Sequence, residues 1–280
     1  MSETKIVCNL PPSFDDLDLV FFDVETTGLS AEKGDSICEI GSIKVRNKKV
    51  LDVFHTLINP KRSIPLQVQA IHGISDEDVK DAPCFKDIAD KFISFLDNAL
   101  LCGYNVGFDL SFLNWELKRI NYPFIELPSL DILVMSKRTI PDLNKYNLAS
   151  LVDYLQIDNI SLHRALGDAM ATKEMFFKLK DILERKGIIR PQDFITLYGF
   201  DNDFFRKNQQ PKTSLMRESI LANVSLKVDY LSYNSDIKTL VVIPKELMED
   251  KGRIYLLGLF PHREDMVKLN LTRILKVEII

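Results

Sequence analysis

The strongest hydrophobic signal in the chain is a short run near its start in which nearly every position is apolar. Over Leu17–Val24, the residues Leu19, Val20, Phe21, Phe22 and Val24 leave no polar face, as in a strand covered on both sides. The run stops at Thr26-Thr27-Gly28, a turn signal. Two further apolar stretches, Ile37–Val45 and Val50–Ile58, flank the polar Arg46-Asn47-Lys48-Lys49 and predict a hairpin. The period then changes. Across 84–98, Phe85, Ile88, Ala89, Phe92, Ile93 and Leu96 recur at helical spacing, with Pro83 just ahead of them. A short strand, Ala99–Cys102, leads through Gly103-Tyr104-Asn105 into a second helix over Phe108–Ile120. The segment Leu148–Leu155 follows, then a long helix over Ala165–Leu183 with Ala169, Thr172, Phe176, Leu179 and Leu183 on one face. Strands first, then strands alternating with helices, predict an α/β domain with a mixed sheet over residues 1–185.

From Lys186 to Lys212 the regularity lapses, and Gly, Pro, Asn and Gln interrupt a partly helical connector. Beyond it the period becomes two. Val224, Leu226, Val228 and Tyr230 alternate with polar neighbours, as do Val267, Leu269 and Leu271, and then Leu275, Val277 and Ile279. Turn signals stand at Asn234-Ser235-Asp236 and over Pro261–Asp265, so residues 213–280 predict a second, small and mostly β domain.

A length of 280 residues suits two domains, and 46% hydrophobic with 27% charged residues is the make-up of a soluble globular protein. Met1–Asn9 carries Glu3 and lacks the apolar core of a signal peptide, and stretches such as Ile254–Phe260 are too short to span a bilayer, so no membrane association is expected. The four cysteines, Cys8, Cys38, Cys84 and Cys102, form no C-x-x-C pair, which predicts reduced thiols in a cytoplasmic protein rather than a zinc or disulfide framework. A net charge of −4 argues against binding to nucleic acid by bulk positive charge. Residues 1–185 hold 21 Lys+Arg against 28 Asp+Glu, and 186–280 hold 15 against 12. An acidic domain can still bind phosphates where its carboxylates hold divalent cations that invert the local field.

Candidate chemistry begins at Asp23 and Glu25. Two residues apart at the end of a buried strand, they project from one face and repel each other unless a cation lies between them. Oxygen ligands of this kind suit Mg²⁺ or Mn²⁺ rather than zinc. Asp109 stands at the opening of a helix, after a strand and a turn. His163 precedes the long helix and Asp168 lies at its start, so both can face one place. A neutral imidazole beside activated water can act as a general base near neutral pH.

These residues belong to three ordered blocks: D-x-E-T-T-G-L at 23–29, Y-N-x-x-F-D at 104–109 and H-R-A-x-x-D at 163–168. Together they resemble the motifs of the DEDDh family of 3′→5′ exonucleases, and within it the epsilon (proofreading) subunits of bacterial DNA polymerase III. The resemblance runs from about Leu17 to Leu183 and includes Ile71-His72-Gly73-Ile74. It implies a ribonuclease-H-like domain in which Asp23, Glu25, Asp109 and Asp168 hold two divalent cations, Mg²⁺ or Mn²⁺. His163 would take the proton of the water that attacks the terminal phosphodiester, releasing a nucleoside 5′-monophosphate. Thr26, Thr27 and Leu29 would grip the terminal nucleotide, with His72 as a further contact, while Asn105 and Phe108 shape the site. Many family members carry a His where this chain has Tyr104, a change expected to alter the shape of the site more than its chemistry.

The resemblance implies DNA as substrate, in proofreading or repair, and leaves two alternatives open: trimming of RNA 3′ ends, or a binding regulator with an inactive nuclease domain. Ile254-Tyr255-Leu256 and Leu269-Asn270-Leu271-Thr272-Arg273-Ile274 resemble a WYL domain, a small SH3/Sm-like β-barrel, in which Arg253, Arg263, Lys268 and Arg273 could meet phosphates. The connector segment Gln192-Asp193-Phe194-Ile195-Thr196-Leu197 resembles the peptides that dock on sliding clamps. A clamp and the DNA polymerase III catalytic subunit are therefore the partners to consider.

Overall fold

The computed structural model describes residues 10–125, 127–158, 162–200, 202–232, 236–250, 253–261 and 265–280. The first apolar run forms β1 (Leu19–Thr26), with Asp23 and Glu25 near its end, as expected. The hairpin forms as β2 (Ile37–Arg46) and β3 (Lys49–Leu57). Its two-residue turn, Asn47-Lys48, has φ of 48° and 61°, the doubly positive geometry that matches the twist of the flanking strands.

Two short helices follow, α1 (Leu66–His72) and α2 (Asp76–Val79), neither visible in the hydrophobic pattern. Next come α3 (Phe85–Leu96), β4 (Leu100–Gly103) and α4 (Val106–Arg119). A three-residue strand β5 (Ser129–Asp131) passes directly into α5 (Ile132–Thr139), and α6 (Leu148–Tyr154) and the long α7 (Ala165–Arg185) close this part. The sheet order is β3-β2-β1-β4-β5, antiparallel from β3 to β1 and parallel from β1 to β5, which is the mixed sheet expected.

Alternation along β1 divides its side chains between two cores. Leu19 and Phe21 face the layer that holds Met175, Phe176 and Leu179 of α7, while Val20, Phe22 and Val24 face Phe92 of α3 and Leu113 of α4. Burying a phenylalanine such as Phe21 or Phe22 completely contributes roughly 1.5–3 kcal/mol, so both layers hold β1 firmly in register. Asp23 and Glu25 share the face of Phe21 and therefore look toward the start of α7.

The region 186–212 is less of a linker than its composition suggests. It contains α8 (Pro191–Tyr198) and the first half of α9 (Asn202–Ala222), which runs on past residue 212. Phe194, Ile195, Leu197 and Tyr198 are buried in the same core as Phe21 and Phe176. The clamp-docking reading of Gln192–Leu197 is corrected here: its apolar side chains point into the protein and leave a clamp nothing to grasp. After α8, Gly199 bridges Leu130 and the Phe200 N–H donates to Ser129 O at 3.0 Å, so this segment lies along the outer edge of β5.

The second sheet comprises β6 (Leu226–Leu231), β7 (Ile237–Asp250), β8 (Arg253–Leu259), β9 (Met266–Asn270) and β10 (Ile274–Ile279), all antiparallel in the order β10-β6-β7-β8-β9. β7 serves two ladders, pairing with β6 through its first half and with β8 through its second, with an irregularity at Pro244/Glu246 where the strand changes partner. Leu231 joins the core beneath α7, and Ile237 and Leu275 pack against it, so the two sheets share apolar contact. The Lys212 ammonium, pushed down to about 8 by burial, donates to Ile274 O at 2.7 Å. No helix among the described residues is long and apolar enough to cross a membrane. Cys38 and Cys102 are buried free thiols and Cys84 is partly so; Cys8 lies outside the described residues.

Candidate metal centre and active site

The β1–β4 pairing ends at Phe21↔Cys102, and beyond it the two strands part. Such a gap at the carboxyl ends of parallel strands is where open α/β sheets accept ligands. Asn105 makes the turn into α4 in the left-handed region (φ 61°, ψ 46°), which its short polar side chain tolerates. The first turn of α4 then delivers Asp109, whose Oδ1 accepts the Val24 N–H at 3.0 Å. The third approach comes from α7. Asp168 stands in its first turn, and its Oδ1 accepts the His163 N–H at 3.1 Å.

Oxygens of Asp23, Glu25 and Asp168 all lie within 4.8 Å of one another. Burial raises the proton affinity of Asp23 well above the ordinary carboxylate range, and Asp109, Asp168, Glu25 and Glu39 add to it by repulsion. Glu25 is pushed up to about 8, first by burial and then by Asp168 and Glu39. Burial also raises Asp109 and Asp168, opposed by the hydrogen bonds from Val24 and His163 respectively. Buried carboxylates that repel one another are stabilised either by protons or by cations. An all-oxygen donor set of this density fits a hard divalent cation such as Mg²⁺ or Mn²⁺.

His163 is exposed at the mouth and takes a φ of 66°, unusual for a side chain with a Cβ. Leu29 is 86% exposed and stands free at the lip. Thr26 and Thr27 are buried: the Thr26 hydroxyl donates to Gly28 O at 2.6 Å, and Thr27 Oγ1 accepts the Ser36 N–H at 3.1 Å. Their side chains set the turn after β1, and the Thr27 N–H donates to Ser36 O at 2.9 Å. Asn105 is exposed and Phe108 half-buried beside Phe112, at the opposite wall.

His72 departs from expectation. It is 4% exposed, its Nδ1 accepts the Ile74 N–H at 3.0 Å, and it bonds the Thr26 backbone from below. Burial lowers its proton affinity. It bonds the end of β1 from inside the protein. Tyr104 likewise turns away, its hydroxyl bonding Tyr146 O and tying down the 140–147 loop.

Two acidic side chains near the cluster were not singled out in the sequence. Asp131 caps α5, accepting N–H groups of Leu133 and Val134 at 2.9 and 3.2 Å. Glu39 lies on β2 opposite Glu25 and is enclosed completely. Burial works against its carboxylate, but hydrogen bonds from Arg164, His55 and the Ala165 N–H outweigh that and hold it below its usual value. A carboxylate inside the apolar run Ile37–Val45 was the available signal, because such a group needs a partner when buried.

In the second sheet, Arg273 is 6% exposed and its guanidinium donates to Leu231 O at 2.7 Å and to Ser232 O. The expectation of a phosphate contact there is corrected: this side chain braces the domain from within. Lys268 pairs with Asp250 at 3.0 Å and lies over the Tyr255 ring. Arg263 and the Arg253 side chain lie outside the described residues.

Comparison with known proteins adds three findings. Residues 20–176 match the family described as Exonuclease, and residues 211–279 match the WYL domain. Over 167 residues the chain is 41% identical to a DNA polymerase III subunit epsilon of Rickettsia conorii, covering 57% of this chain and 72% of that one. Over 171 residues it is 38% identical to a PolC-type DNA polymerase III of Caldanaerobacter subterraneus subsp. tengcongensis, covering 61% of this chain but only 12% of that polymerase. In fold it is similar to the nuclease domain of 3′hExo, a DEDDh family member bound to rAMP, with a TM-score of 0.52 at 15% identity over 58% of this chain and 90% of that one. It is also similar to E. coli Exonuclease I in complex with an oligonucleotide, with a TM-score of 0.56 at 17% identity over 86% of this chain and 55% of that one. The second likeness, one of fold alone, is too extensive to be confined to residues 20–176.

Proposed function

This chain belongs to the exonuclease family, and we propose that it removes nucleotides from the 3′ end of a DNA strand, in proofreading or repair, releasing nucleoside 5′-monophosphates. The observation that carries the reading is the meeting of Asp23, Glu25 and Asp168 within 4.8 Å, with Asp109 seated at the same strand end. All five residues of the proposed machinery, these four and His163, fall within the family-matched 20–176. Likeness to an epsilon subunit and to a PolC-type polymerase supports work beside a replicative polymerase.

Asp23, Glu25, Asp109 and Asp168 would hold Mg²⁺ or Mn²⁺. Bound there, divalent cations supply the positive charge that acidifies water and stabilises the leaving 3′ oxygen. The imidazole of His163 accepts the proton of the attacking water as its oxygen bonds to phosphorus and the 3′ oxygen departs. Leu29 lies against the terminal base, Thr26 and Thr27 align the terminal nucleotide, and Asn105 and Phe108 bound the opposite side. His72 keeps the end of β1 rigid beneath them.

The test is degradation of 5′-labelled single-stranded DNA, mismatched duplex and RNA with Mg²⁺, beside Asp23→Ala. Stepwise shortening of DNA from its 3′ end, absent in the variant, is expected. Faster loss of RNA would move the substrate to RNA, and equal rates for both proteins would sink the reading.

A further inference from the structure

Within the acidic neighbourhood, Glu39 differs from the four carboxylates above in having bonded partners on several sides. Arg164 Nε lies 3.1 and 3.0 Å from its two oxygens, and Arg164 Nη2 lies 2.5 Å from Oε1. The Ala165 N–H donates to Oε2 at 3.0 Å, and His55 Nε2 is 2.8 Å from Oε1. Two positions along β2, Gly41 lets the first turn of α7 settle directly on the strand. A Cβ there would fall 2.1 Å from Leu166 N and 2.3 Å from the Ala165 carbonyl carbon. Glu39 and Gly41 share one face of β2 and together pin the start of α7. His163 lies one residue before Arg164, at its φ of 66°, with its N–H on Asp168 Oδ1.

We propose that Glu39, acting through Arg164 and Ala165, is a positioning residue that holds His163 and Asp168 at their working geometry. A buried ion pair adds little net stability compared with apolar packing, but its fixed fork geometry specifies orientation. Displacing a reacting group by about 1 Å can cost roughly 10²-fold in rate. The inference rests on the exonuclease reading. Arg164 is partly exposed, its side chain 46% accessible, so the test must separate positioning from direct contact with phosphate.

Wild type, Asp23→Ala, Glu39→Gln, Glu39→Asp, Arg164→Ala and the Glu39→Gln/Arg164→Ala double variant are compared on single-stranded DNA with Mn²⁺. Mn²⁺ affinity is measured by calorimetry and Tm by thermal melting. Glu39→Gln and Arg164→Ala should each lower kcat about 10²-fold, with KM and Mn²⁺ affinity near wild type. The double variant should cost no more than either single, and free guanidinium should restore part of the kcat lost in Arg164→Ala. Breaking a buried pair can unfold a protein, so Glu39→Asp, which keeps the charge but shortens its reach, should lose kcat at a nearly unchanged Tm. Wild-type kcat in both Glu39 variants overturns the proposal. So does a change confined to KM, or a kcat loss that merely follows lost Mn²⁺ binding or lost folding. Wild type no more active than Asp23→Ala would sink the exonuclease reading itself, and this proposal with it.

Discussion

At the end of β1, Asp23, Glu25, Asp109 and Asp168 crowd together, and burial and mutual repulsion raise their proton affinities. In the second sheet the charges are settled instead: Arg273 meets Leu231 O and Ser232 O, Lys268 meets Asp250, and Lys276 meets Glu278. Both regions bury polar groups, but among the described residues it is the first that brings like charges together. A fold keeps such repulsion where something else supplies the missing charge, so imbalance marks chemistry and balance marks architecture.

The contrast breaks or holds first at Asp23. Asp23→Asn should lower turnover by roughly 10³-fold or more while raising the Tm of the metal-free protein, because it removes a repelling buried charge. Lower activity together with a lower Tm would show that the carboxylate is structural. His163→Ala should reduce kcat by about 10²-fold or more at nearly constant KM, measured under single-turnover conditions. In the second sheet the opposite pattern is expected. Arg273→Ala should destabilise the protein by about 2–3 kcal/mol in urea titration, through orphaned carbonyls, and leave kcat within about twofold.

The smallest effect is in pH. The folded protein holds Glu25 near 8 against an ordinary 4.5, so it binds the proton more tightly than the unfolded chain does. Stability therefore falls as pH rises from about 4.5 to about 8, and the loss is complete above that. In EDTA, melting curves should show Tm dropping by about 5 °C across this window, and Mg²⁺ should remove most of the drop. A Tm in EDTA that climbs with pH would contradict the assigned electrostatics.

Much of the first sheet was legible because β1 and β2 are long, buried and bounded by turn residues. The three motif blocks were legible because chemistry fixes both residue type and spacing. Helices α1 and α2 left little periodic trace, being of 7 and 4 residues. α8 misled because it is buried almost all round, polar Asp193 and Thr196 included: a segment buried on every side has no period to separate a core helix from a docking peptide. β7 was missed because Pro244 and the irregularity beside it interrupt alternation where the strand passes from one ladder to the next. The supporting role of His72 was hidden because burial depends on how α1 folds back against Thr26, which spacing does not record.

The segment at Gly199–Phe200 has a consequence for self-association. By lying along β5 it occupies the hydrogen-bonding groups that would otherwise invite a foreign strand on that flank. Among the described residues, the opposite flank, β3, ends this sheet, with Val50, Leu51 and Val53 about half exposed and Lys49 and Asp52 interspersed. Any polypeptide that templates on this sheet thus has a single rim to choose, and it must dock there past alternating charge.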